Sequence, residues 1–128
     1  MNIQDPKTTR IEFRKVYLSD LKAVISIYQK KTKASIAMEL TSDFGLPLSV
    51  AVDNNEVIGV AFASINELGK VVLNAQVLST FETVHIENTL EAAAENILYA
   101  TFENINKDHT PLKNSIQQLV GWLNKCAN

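Results

Sequence analysis

Apolar residues recur with two different periods along this chain, and the change of period marks its elements. At the start, Ile11 and Phe13 alternate with polar neighbours, which predicts a short strand running to Lys15-Val16. Leu21, Val24, Ile25 and Tyr28 then stand at i, i+3, i+4 and i+7, the buried stripe of a helix. Ser19 is the expected N-cap, Asp20 suits the positive end of the helix dipole, and Lys30, Lys31 and Lys33 suit its carbonyl end. A weaker helical stretch covers Ala34 to Leu40 and ends in Thr41-Ser42-Asp43 and the turn Gly45-Leu46-Pro47.

The period of two returns in Leu48–Val52 and Val57–Ile65. Between them, Asp53-Asn54-Asn55-Glu56 puts Asn at both positions where a tight hairpin needs positive φ. Asn66 to Lys70, with Gly69, turns the chain again into a strand from Val71 to Leu78 that has room to continue to Val84. From Asn88 the period is 3.6. Asn88-x-x-Glu91 resembles a capping box, and Leu90, Ala93, Ala94, Ile97, Leu98, Thr101, Phe102 and Ile105 follow as one stripe. Thr110-Pro111 opens a last helix, with Leu112, Ile116, Leu119, Val120 and Leu123 inward.

The pattern predicts an α/β (α+β) domain. Its central, mostly antiparallel sheet has about four strands, in the order strand, one or two helices, three meandering strands, two helices. Residues 1–9, with Asp5-Pro6, read as a flexible tail, and 10–128 as a single domain. Composition adds exclusions. With 46% apolar and 20% charged residues and a net charge of −2, the chain has neither a disordered composition nor the basic stripe of a nucleic-acid surface. No apolar run reaches membrane-spanning length, so no membrane partner is expected. Met1 to Arg10 lacks the apolar centre of a signal peptide, and the lone Cys126, read as half-buried in the last helix, suits a cytoplasmic setting.

Phe13-Arg14-Lys15-Val16 through Asp20-Leu21 to Ile27-Tyr28 resembles the first strand and helix of the GNAT superfamily of acyl-CoA-dependent N-acyltransferases. Val50-Ala51-Val52-Asp53 and Glu56-Val57-Ile58-Gly59-Val60-Ala61 are similar to that family's second and third strands, and Val71 to Ser79 to its fourth. The resemblance covers residues 10–80. It implies that the backbone of Val77, Leu78 and Ser79 would hold the pantetheine arm of acetyl-CoA, with Gln76 or a water assisting proton removal from an amine. It also implies a Gly-rich loop resembling R/Q-x-x-G-x-G/A, whose N–H groups cradle the pyrophosphate at a helix N-terminus.

The segment in that place, Leu78-Ser79-Thr80-Phe81-Glu82-Thr83-Val84-His85-Ile86-Glu87-Asn88, contains no Gly, Arg or Lys and brings two carboxylates. At ~6 Å and an effective dielectric near 20, each like-charge contact with a phosphate costs about 2 to 3 kcal/mol before screening. Glu87 has an ordinary role as an acidic residue at a helix start. The family's later strand, closing hairpin and C-terminal Tyr have no counterpart, and Tyr99 reads as core or boundary.

Other chemistry is sparse. His85 and His109 form no metal motif, and no Cys pair exists. His85 with Glu82 and Glu87 is the one cluster that could act as an acid–base pair, and its ordinary reading is a His in an edge strand or loop tip touching a carboxylate. Ser64, Ser79 and Ser115 lack a nucleophile-elbow setting. Asn74 and Gln76 share one face of the fourth strand, expected to meet water, opposite Val71, Leu73, Ala75 and Val77. Two functions stay open: an acetyltransferase-related protein lacking a recognisable pyrophosphate loop, or a non-catalytic interaction or dimerisation module on a GNAT-like scaffold. A homodimer and a small-molecule or protein partner are the associations either allows.

Overall fold

The computed structural model describes residues 11–32, 40–78 and 84–126. Four strands, β1 (Ile11–Lys15), β2 (Leu46–Asp53), β3 (Glu56–Ile65) and β4 (Val71–Val77), form one antiparallel sheet in the order β1-β2-β3-β4. Among the described residues three α-helices accompany the sheet: α1 (Leu21–Thr32), α2 (Val84–Thr101) and α3 (Thr110–Cys126). This is the expected α+β layout. The expected helix over Ala34 to Leu40 lies outside the described residues except for Leu40, which is not helical.

The turns form as their residues dictate. Asn54 and Asn55 both adopt positive φ, at 52° and 66°, as a two-residue hairpin between right-twisted strands requires. Asn66 accepts hydrogen bonds from the N–H groups of Leu68 and Lys70 through its side chain, and Gly69 takes a φ of 78° to finish that turn.

Alternation along the strands gives the sheet two unlike faces. Gly59, Ala61 and Ala63 of β3 pair with Ala51, Ser49 and Leu46 of β2 on one side and with Val77, Ala75 and Leu73 of β4 on the other. These residues are mostly small, so α2 can lie close, and it touches all four strands. Ser49 is fully buried there and donates its hydroxyl to the Leu90 carbonyl at 2.8 Å. The opposite face presents Val50, Val60 and Phe62, and α1 covers it with Leu21, Val24, Ile27 and Tyr28. Tyr28, Phe44 and Phe62 meet edge to face, with centroids 4.9 to 5.9 Å apart. Burial holds the Tyr28 hydroxyl above its ordinary pKa. The helices thus take both faces of the sheet.

Several boundaries differ from expectation. A 3₁₀ turn, Leu18–Asp20, precedes α1, and the capping role falls to Asp20 instead of Ser19. The Asp20 carboxylate accepts the Tyr17 N–H at 2.8 Å and hydrogen bonds from Nη1 and Nη2 of Arg14, at 2.8 and 3.1 Å. Arg14 reaches from β1, so this bond depends on strand and helix meeting, which residue spacing alone does not show. α2 begins at Val84, not Asn88, because Ile86 extends the buried stripe of Leu90, Ala94 and Leu98 by one turn. That also ends any continuation of β4 to Val84. α2 stops at Thr101, and Ile105 is buried from a turn, its N–H bonded to the Phe102 carbonyl. α3 begins at Thr110 as expected. The Asp108 carboxylate accepts the Thr110 N–H at 3.0 Å, a bond that holds it below the usual carboxylate range.

Candidate functional site

The sheet ends on β4 among the described residues, so one side of that strand lacks a neighbour. Which backbone groups face outward follows from the bonds at its two ends. Leu78 donates its N–H to the Ile58 carbonyl, and Asn66 donates to the Lys70 carbonyl. In an antiparallel ladder bonded residues alternate, so Val72, Asn74 and Gln76 bond to β3. The N–H and C=O groups of Val71, Leu73, Ala75 and Val77 therefore point away from the sheet. No Pro, charged residue or register break interrupts Val71–Val77. The other edge is different: β1 is five residues long and carries Glu12, Arg14 and Lys15. Charge and shortness are common protections of an edge strand, and β4 has neither.

Beside this edge lies a cleft of about 350 Å³ between β4, the second half of α2 and the turn before α3. Val71, Leu73, Leu98 and Ile105 give it an apolar floor, while Lys70, Glu95 and His109 are among the polar groups of its rim. Tyr99, 46% exposed, closes one side, so the residue read as core or boundary stands on the boundary. His109 was given no role by its surroundings in sequence. It reaches the cleft because the turn after α2 folds back towards β4, and no local pattern signals that. The mixture of apolar floor and polar rim suits a side chain of a bound segment. Among the described residues that line it, no hydrogen bond pairs a nucleophile with a base.

The residues tied to acyl transfer are dispersed. Gln76 lies opposite Val60, on the α1 face and not the cleft face. Its side-chain oxygen is buried without a hydrogen-bond partner among the described residues. Asn74, on the same face, is exposed, as expected of a residue meeting water. Val77 has its side chain fully buried under α2 with only its backbone outward, and the Leu78 N–H is already bonded to Ile58. Ser79 lies outside the described residues.

The helix start does not suit the diphosphate of acetyl-CoA. Glu87 stands in the first turn of α2, where a phosphate would need the dipole to itself, and neither Arg nor Lys occurs between Leu78 and Asn88. His85 is exposed in that first turn, neither on a strand nor at a loop tip, and Glu82 lies outside the described residues. Cys126 is exposed, not half-buried: it is the last residue of α3, one turn beyond Leu123, where burial along the stripe ends. Among the described residues no three His, Cys, Asp or Glu side chains gather as metal ligands, and no helix is long and apolar enough to cross a membrane. The chain matches no protein-family model, no curated protein and no solved structure.

Proposed function

We propose that this chain is a non-catalytic interaction module on a GNAT-like scaffold, and that it binds by adding a strand to its sheet at β4. One observation carries the reading: β4 offers four consecutive outward-facing residues, Val71, Leu73, Ala75 and Val77, with no charge to repel an incoming strand. Strand addition supplies main-chain hydrogen bonds for affinity and a flanking pocket for alternate side chains. The cleft at Val71 and Leu73 is such a pocket.

An N-acyltransferase would use the same open edge to hold pantetheine, so the two readings differ at the diphosphate. Glu87 and the lack of Gly, Arg and Lys from Leu78 to Asn88 favour the module. Thermal unfolding with millimolar acetyl-CoA separates them. A ligand at 100 times its dissociation constant adds about 2.7 kcal/mol, several degrees for a domain of this size. The expected result is no shift, and a saturable rise would return the chain to the enzymes. Selection from a displayed library of ten-residue peptides then tests the edge itself. Binders should lose affinity for Ala75→Pro, which deletes one outward N–H that β3 does not use. Binders indifferent to that change would place recognition elsewhere.

A further inference from the structure

We infer that the strand added at β4 is β4 of a second copy, joined about a two-fold axis through Asn74, so that two four-stranded sheets become one. The inference rests on the module reading and names its occupant. In the antiparallel arrangement centred on Asn74, Val71 lies opposite the partner's Val77, Leu73 opposite the partner's Ala75, and Asn74 opposite its own counterpart. All four outward residues of each strand then exchange hydrogen bonds with outward residues of the other, and none of the seven residues overhangs.

The side chains match in this register. On the α2 face a larger residue, Leu73, meets the smaller Ala75, and the half-buried apolar row of β4 continues into the partner's row. On the α1 face exposed Asn74 meets Asn74, and an amide can both donate to and accept from its own copy. What favours a second copy is closure. Directly opposed like charges destabilise a strand pair, and Val71–Val77 carries no charge, so nothing repels when the strand pairs with its own copy. The β1 edge brings Glu12, Arg14 and Lys15 and is two residues shorter than β4, and joining β1 to β4 of successive copies would propagate without closing. A two-fold β4 pair closes on itself and leaves the charged β1 strands at the outer edges. The same geometry brings the partner's Val77 end of β4 beside Val71, at the mouth of the cleft, which a single chain leaves open.

The experiment uses the full chain. Light scattering across a concentration series should show a species of twice 14.2 kDa. Amide exchange at Leu73 and Ala75 should slow as that species forms, while Asn74 and Gln76, already bonded to β3, change little. Asn74→Asp and Asn74→Lys test the axis. Each alone places like charges across the two-fold and should weaken the dimer about tenfold or more. Mixing the two variants should restore association, because opposite charges then face each other. Both substitutions fall on an exposed side chain, and unchanged circular dichroism and melting of dilute protein will show that each monomer folds. A wild-type chain monomeric at every concentration, or variants that dimerise as wild type does, would overturn the inference. Peptide binders lost in Ala75→Pro would in that case still uphold the module with another occupant, whereas their absence as well would remove both.

Discussion

At the residue scale the most informative side chain is Asp20. It is buried, yet it stays charged because Arg14 supplies two hydrogen bonds and the Tyr17 N–H a third. These contacts, the Arg14 hydrogen bonds foremost, hold its carboxyl below the usual carboxylate range. The folded chain therefore binds fewer protons at this group than the unfolded chain does. Its stabilising contribution is present above the ordinary carboxylate pKa, about 3.9, and is lost as pH falls through the lower folded value. Asp20→Asn should cost about 2 kcal/mol at pH 7, the scale of a charge-assisted hydrogen bond. Urea unfolding at pH 7 and pH 3 checks this: the penalty should shrink at the acid end, and an equal penalty at both would remove Asp20 from the account. Spacing in the sequence already marked Asp20 as a helix-start residue. That it rather than Ser19 caps the helix was decided by Arg14, six positions away on a strand.

Among the elements, turns were the most legible, since their residues carry the conformation themselves. Asn54-Asn55 and Gly69 adopt the positive φ their positions need. Gly45 shows where that legibility ends. It precedes β2 with φ 78° and ψ −164°, a region essentially confined to glycine, and a Cβ built there would lie 2.6 Å from the Ala63 carbonyl oxygen. Gly69 shares the φ but a Cβ there meets only open space. Gly69→Ala should thus pay only the backbone cost of about 1–2 kcal/mol. Gly45→Ala should pay roughly 1–3 kcal/mol more, for the clash with backbone that cannot move aside. Melting curves of the two variants would decide it, and equal losses would mean the contact with Ala63 carries no weight. Helix ends were less legible than turns. Asn88 and Glu91 mimic a capping box and shift the expected start of α2 four residues late, whereas Ile86 already belongs to the buried stripe.

For the whole molecule, cooperativity runs through α2, which spans every strand of the sheet. Leu90 is fully buried at the middle of that contact. Its carbonyl accepts the Ser49 hydroxyl, and its side chain sits where a Cβ on Gly59 would come within 3.0 Å. Leu90→Ala should cost about 2–5 kcal/mol, the range for emptying a well-packed core site. It should also move the entire unfolding transition, so that far-ultraviolet dichroism and tryptophan fluorescence still coincide. A variant that loses only one phase of signal would show that α2 and the sheet unfold separately.

What the sequence by itself determined were features set within a few residues: the alternating meander, the hairpin at Asn54-Asn55, the inward stripe of α3 and the acidic, glycine-free run from Leu78 into the first turn of α2. Each depends on local sterics, on the period of apolar residues or on formal charge, all of which a linear chain displays. The tertiary structure alone decided that α1 and α2 take opposite faces, that His109 and Tyr99 meet β4 across a cleft, and that, among the described residues, the charge-free β4 stands at an edge of the sheet. These are matters of which elements become neighbours. Neighbourhood is chosen by the packing of whole faces, such as the small-residue floor under α2, and no single segment carries that information.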